Sequence, residues 1–172
     1  MRNAVGKYVL LTRKNTSLDA RYKGRIDACP VPGKSGLPSV KGHFIGAGCR
    51  SFLIHEVKDV VPLSGTEAEV LRGKITGKTI QEYILPLTDA QLTFLAAELE
   101  IDPEDLPFLP EDRIGDITVE ITGLEAEETA AAERGGREIS ERGRTAAEIA
   151  AVIAEKLGKH RETVDKEARH EA

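Results

Sequence analysis

Three cationic side chains, Arg21, Lys23 and Arg25, alternate with Tyr22, Gly24, Ile26 and Ala28. Such alternation predicts a half-buried β-strand over Arg21 to Cys29, with cations about 7 Å apart along one basic face. Arg13 and Lys14 end the preceding apolar segment and would extend that patch from a neighbouring strand. A stripe of this kind suits the phosphates of a nucleic-acid backbone, which small barrels bind along a positively charged groove. Tyr22 belongs to the opposite face, so the stripe brings no stacking aromatic. A merely solvated strand face has the same pattern.

Two further groupings raise the question of a metal. Cys29, His43, Cys49 and His55 all suit zinc, but their spacings of 14, 6 and 6 contain no close pair to nucleate binding. Core thiols and strand histidines are the simpler expectation, and no metal or other cofactor is assigned. Phe52 to Lys58, FLIHEVK, resembles the strand followed by Glu-x-Lys of the PD-(D/E)xK nucleases. That resemblance implies Glu56 and Asp27 as Mg²⁺ ligands and Lys58 as the group positioning the attacking water. Other near-motifs fail. GKITGKT, Gly73 to Thr79, has three residues between its glycines instead of four, and Pro32-Gly33-Lys34-Ser35 lacks the first glycine of a phosphate loop. The acidic residues Asp102, Glu104, Asp105, Glu111 and Asp112 lack the pattern of a calcium loop.

The C-terminal stretch IAEKLGKHRETV, Ile153 to Val164, resembles the centre of a helix-turn-helix. Ile153, Ala154, Leu157, Gly158 and Val164 carry the likeness. It implies one helix ending at Gly158, a short turn, and a second helix entering the major groove. On that basis His160, Arg161, Glu162, Thr163 and Lys166 would face the groove. Lys159, Arg161, Thr163 and Lys166 are its nucleic-acid-binding candidates. The competing reading is an amphipathic helix pair used for docking or self-association.

These residues need elements to hold them. Phe44 to Leu63 has the densest apolar patterning, and Phe52 to Val57 within it predicts a buried strand. Val5 to Thr12 and Val40 to Ile45 read as further strands, joined by an Arg13–Ala20 loop and a Pro30–Pro38 loop rich in Pro and Gly. Several short strands in about 60 residues suggest a small, partly open barrel of SH3 or OB size. Glu67 to Arg72 is ambiguous between helix and strand. Ile80 to Leu85 and Asp116 to Ile121 read as strands. Between them, Thr88 to Gln91 is a capping box opening a helix with Leu92, Leu95, Ala96 and Leu99 on one face. Farther on, Glu125 to Arg134 is helix-prone, Gly135-Gly136 interrupts it, and Thr145 to Glu148 forms a second capping box. The fold class is α+β. Its divisions are a basic barrel-like region over 1–65, an acidic α+β region over 66–124 and a helical appendage over 125–172.

Composition bounds what this architecture can do. The 172 residues include four Phe, three Tyr and no Trp, so a mainly aliphatic core is expected. No apolar run approaches the roughly 20 residues of a membrane span. With only Cys29 and Cys49 available for disulfides, a cytoplasmic protein is the expectation. The net charge of −5 conceals a segregation: residues 1–60 hold eleven Lys/Arg against four Asp/Glu, and residues 61–128 hold four against sixteen. The first expectation is therefore a non-enzymatic binding or regulatory protein of bacterial or phage-accessory type. It would engage nucleic acid, or a complex that processes it. A structural protein that self-associates through its terminal helices is the second, and a Mg²⁺-dependent nuclease the third.

Overall fold

The computed structural model describes residues 1–15 and 18–170, so Thr16 and Ser17 of the predicted Arg13–Ala20 loop lie outside the described residues. The architecture is α+β, and the chain divides into two units, Met1–Lys78 and Thr79–Ala172.

The first unit is built on one antiparallel sheet. Strands β1 (Tyr8–Arg13), β2 (Ala20–Pro32), β3 (Pro38–Phe44), β4 (Gly48–Leu53) and β5 (Val57–Pro62) are arranged in the order β4-β3-β2-β1-β5. Helix α1 (Gly65–Thr76) follows, resolving the ambiguous Glu67–Arg72 stretch as helix. The edges β4 and β5 are not paired with each other, yet only the 3-10 turn Ile54–Glu56 joins them. Five flat strands would place the edges about 19 Å apart, at about 4.8 Å per neighbour. A 3-10 turn rises only about 2 Å per residue. The sheet must therefore curl. It is not closed, so the expected barrel reduces here to an open, curved sheet.

Two strand boundaries differ from expectation. Phe52 to Val57 is not one buried strand; Phe52 and Leu53 end β4, which is an edge, and Val57 begins β5 after the 3-10 turn. The Pro30–Pro38 loop shrinks to Gly33–Leu37, because Pro30 and Pro32 lie within β2 and Pro38 opens β3. Prolines are tolerated where a strand begins or where the ladder is bulged, and the β2–β3 register is irregular between Ala28 and Val31.

Val9, Leu11, Ile26, Val40, Phe44, Phe52 and Val57 form the core of this unit, with Tyr22 and Cys29 packed at its margin. Phe44, Phe52 and Tyr22 make a ring cluster with centroids 4.8–6.1 Å apart. The core is mainly aliphatic, as expected, with this ring cluster set within it. Phe44 fits because Gly24 and Gly42 flank it without side chains. A Cβ on Gly24 would stand 2.5 Å from Phe44 Cδ1, and one on Gly42 2.9 Å from Phe44 Cζ.

The second unit is helical: α2 (Gln81–Ile84), α3 (Asp89–Glu98), α4 (Ile114–Gly135) and α5 (Glu141–His170). The α3 capping box is present, Thr88 Oγ1 accepting from the Gln91 amide at 3.3 Å and Gln91 Oε1 from the Thr88 amide at 3.0 Å. Both strands expected here are helices instead. Ile80 leads into α2, and Asp116–Ile121 lies in α4, where Ile114, Ile117 and Ile121 are buried while Val119 is 73% exposed. Gly136 ends α4 in the left-handed region, φ 60°, with Arg137 N–H donating to Ala132 C=O and Gly136 N–H to Glu133 C=O. That is a Schellman motif. The true N-cap of α5 is Ser140, whose Oγ accepts from the Gly143 amide at 3.1 Å. Thr145 lies inside the helix, donating to Glu141 C=O.

Candidate nucleic-acid interface

In the β1–β2 ladder Arg21, Lys23 and Arg25 stand opposite Thr12, Leu10 and Tyr8, so the three cations share one face of the sheet, as their alternation requires. Tyr22 turns the other way, into the aromatic cluster. The face is real, but its charge is largely compensated. Lys23 Nζ pairs with Glu67 Oε1 at 2.8 Å, a carboxylate in the first turn of α1. Arg25 donates from Nε and Nη2 to Asp27 Oδ1 at 3.0 and 2.8 Å, and this hydrogen bond raises its pKa further. Arg13 pairs with Glu56 Oε2 at 2.8 Å and lies 5.9 Å from the Phe52 ring centroid. Lys14, exposed, follows at the end of β1, its backbone amide bonded to Glu56 C=O. Arg21 is exposed and contributes to holding the Asp19 carboxyl below its usual range, an effect dominated by the Lys58 hydrogen bond.

The nuclease grouping is dispersed among those same pairs. Asp27 serves Arg25, Glu56 serves Arg13, and Lys58 serves Asp19. Glu56 also sits on the 3-10 turn, not on the hydrophobic strand the resemblance requires. Of the zinc-capable residues, His43 and Cys49 are cross-strand partners, Cys29 packs at the core margin and His55 is exposed on the turn. Among the described residues no three His, Cys, Asp or Glu side chains are grouped to hold a metal ion.

The helix-turn-helix expectation is overturned. Helix α5 runs unbroken from Glu141 to His170, so Gly158 is an interior residue and no turn separates two helices. An ion pair from Glu155 to Lys159 spans Gly158. Next to Lys159, the His160 ring meets Tyr83 of α2 edge-on, with centroids 6.2 Å apart. Lys159, Arg161, Thr163 and Lys166 are therefore exposed on a single helix, and Thr163 Oγ1 is spent on Lys159 C=O. The tail is not wholly detached: Ala146, Ile149 and Ile153 are fully buried.

A second basic site escaped the reading of the chain. A groove of about 940 Å³ lies between the β2–β3 hairpin and β4, and Lys34, Lys41, Arg50, Ser35, Ser39 and Ser51 are among its lining residues. The hairpin is a three-residue loop, Lys34-Ser35-Gly36. Gly33 N–H donates to Leu37 C=O and Gly36 N–H to Gly33 C=O, both at 2.9 Å. Gly36 takes φ 76°, the left-handed residue such a loop requires. Lys41 and Ser51 are cross-strand partners, and Arg50 Nε donates to Ala47 C=O at 3.2 Å. No Asp or Glu lines the groove. Adjacent sequence positions could not reveal it, because Lys34 comes from the hairpin loop, Lys41 from β3 opposite Ser51, and Arg50 from the alternate face of β4, opposite Gly42.

No family model matches the chain, and neither the curated proteins nor the solved structures compared with it include a match. Among the described residues no helix is long and apolar enough to cross a membrane.

Proposed function

We propose that this is a non-enzymatic binding or regulatory protein whose first unit engages nucleic acid, or a complex that processes it. One observation carries the reading: charge is partitioned by folded unit. Met1–Lys78 holds fourteen Lys/Arg against six Asp/Glu, whereas residues 79–172 hold ten against twenty-three. A folded unit with a net charge of +8 attracts polyanions and steers them over its surface. The curled sheet, bent back by a 3-10 turn between its edge strands, supports a small, partly open barrel of SH3 size as its class. Its two free cysteines support the cytoplasm as its compartment.

Fluorescence anisotropy of a labelled mixed-sequence oligonucleotide against the intact chain tests this. Binding is expected at 50 mM salt, with affinity falling steeply as salt rises, because neutralised phosphates release counterions. Affinity absent at 50 mM salt, or indifferent to salt, would count against it.

The second reading, self-association, is favoured by a different feature. Residues 158–169 of α5 are exposed throughout, and Val164 is 48% exposed. A sedimentation coefficient that rises with protein concentration in the intact chain, and not in Val164→Asp, supports it.

A further inference from the structure

We infer that the groove between the β2–β3 hairpin and β4 is where the first unit holds the phosphodiester backbone of a single-stranded nucleic acid. The proposal rests on the reading given above and moves its contact away from the β1–β2 stripe. The two basic sites differ in what faces the cations. Lys23, Arg25 and Arg13 each have a carboxylate within 3.0 Å. A phosphate arriving there must displace a carboxylate or share its cation.

Lys34, Lys41 and Arg50 have no carboxylate partner among the described residues, and the one side-chain bond among them is that from Arg50 to Ala47 C=O. All three are exposed. Lys34 and Lys41, uncompensated beside a concave site, focus positive potential there. Arg50, which alternation sets on the other face of edge strand β4 from Lys41 and Ser51, adds to it from the rim. Hydroxyls suit the same ligand. Ser35 and Ser51 line the site, and their hydroxyls can donate to phosphate oxygens. No aromatic ring lines the groove to stack a base, so the contacts it offers are to phosphate and sugar.

The groove is in the size range of sites that enclose small ligands. A duplex would meet only its rim, whereas a single strand can turn successive phosphates inward. The Lys34-Ser35-Gly36 loop is fixed by its own backbone bonds, which limits the ordering cost of presenting Lys34.

Three phosphate contacts give a slope of about −2 for log K against log salt on a single strand, a loss of roughly 16-fold between 50 and 200 mM. The test uses the full chain, a labelled mixed-sequence 12-mer and a duplex of the same length. Lys34→Ala/Lys41→Ala/Arg50→Ala is expected to lose more than about tenfold in single-strand affinity and to flatten the salt slope. Arg2→Ala/Lys7→Ala/Lys78→Ala, the same change in net charge at exposed positions of the same unit, is expected to stay within about threefold of the unaltered chain. Far-UV circular dichroism and melting are read for each variant.

If the two triple variants lose equally, only net charge acts and the groove is overturned. If Arg21→Ala/Lys23→Ala/Arg25→Ala abolishes binding and the groove variant does not, the groove fails while the wider reading stands. Tighter binding of the duplex than of the single strand overturns the single-strand assignment. No binding by the unaltered chain overturns both.

Discussion

The two units solve the same problem, burying an apolar core, with opposite materials. The first is a sheet whose ladder joins residues far apart in sequence, packed on Phe44, Phe52 and Tyr22, and net positive. The second is helical, its buried residues mostly Ile, Leu and Ala, and net negative. In the sheet, alternate residues face opposite ways, so one strand can serve the core with Ile26 while showing Arg25 to solvent. In the helices a stripe every three or four residues does that work, as with Ala146, Ile149 and Ile153 of α5. The basic unit keeps three cations free of carboxylates around its groove. In the acidic unit Arg142 meets Glu98 at 2.9 Å and Glu128 at 3.5 Å, and the Glu98 hydrogen bond raises its pKa. Lys34, Lys41 and Arg50 of the first unit have no such carboxylate among the described residues, whereas Arg142 of α5 bridges to α3 and α4.

The largest effect that would separate the units is Phe44→Ala. Truncating a fully buried Phe costs about 3–5 kcal/mol, and the two glycines beside Phe44 offer no side chain to fill the space. Hydrogen exchange is expected to show lost amide protection throughout β1–β5 with protection retained in α3–α5. Equal loss in both units would mean that they unfold as one body and that their difference in construction has no thermodynamic counterpart.

The unequal legibility of the two units follows from the same difference. Arg21 to Cys29 was readable because polar and apolar residues alternate without exception up to Ala28. Ile117, Val119 and Ile121 alternate too, but Ile114 supplies the competing period: 114, 117 and 121 lie on one helical face, and that face is buried. The α3 capping box was legible because both of its bonds are local. The second box was not, since Thr145 and Glu148 fit the pattern while Ser140 has glycine at the third helical position. There Gly143 answers to packing: a Cβ would come within 2.8 Å of Glu128 Cβ on α4. The basic stripe was visible as a row of cations, but Glu67 and Glu56, which neutralise part of it, lie more than 40 residues from their partners. The groove was invisible for the same reason, being a product of register.

Gly158 gives a smaller and sharper test. Glycine is the usual residue just past a helix end, which is why the chain reads there as a turn. In the fold it is mid-helix, and a Cβ would meet nothing within 4 Å. Gly158→Ala is therefore expected to stabilise this part of α5 by about 0.5–1 kcal/mol. Amide exchange over residues 155–166 should slow. Faster exchange would mean a left-handed residue at 158, where alanine costs roughly 1–2 kcal/mol, and would restore the two-helix reading of the tail.

The smallest effect concerns Tyr83, buried in α2 with its hydroxyl donating to Glu111 Oε1 at 3.0 Å. Burial first, and then the Glu111 hydrogen bond, raise the phenol above the usual tyrosine range. Because the folded value exceeds the unfolded one, the stabilisation is complete below the ordinary tyrosine pKa of about 10 and is lost as pH rises through the folded value. Ultraviolet titration of the native chain should show a late phenolate step that Tyr83→Phe removes. Stability of the second unit should fall less between pH 9 and 11 in that variant than in the unaltered chain. If the variant's decline is as steep, another group sets the alkaline limit and the Tyr83–Glu111 bond is incidental to it.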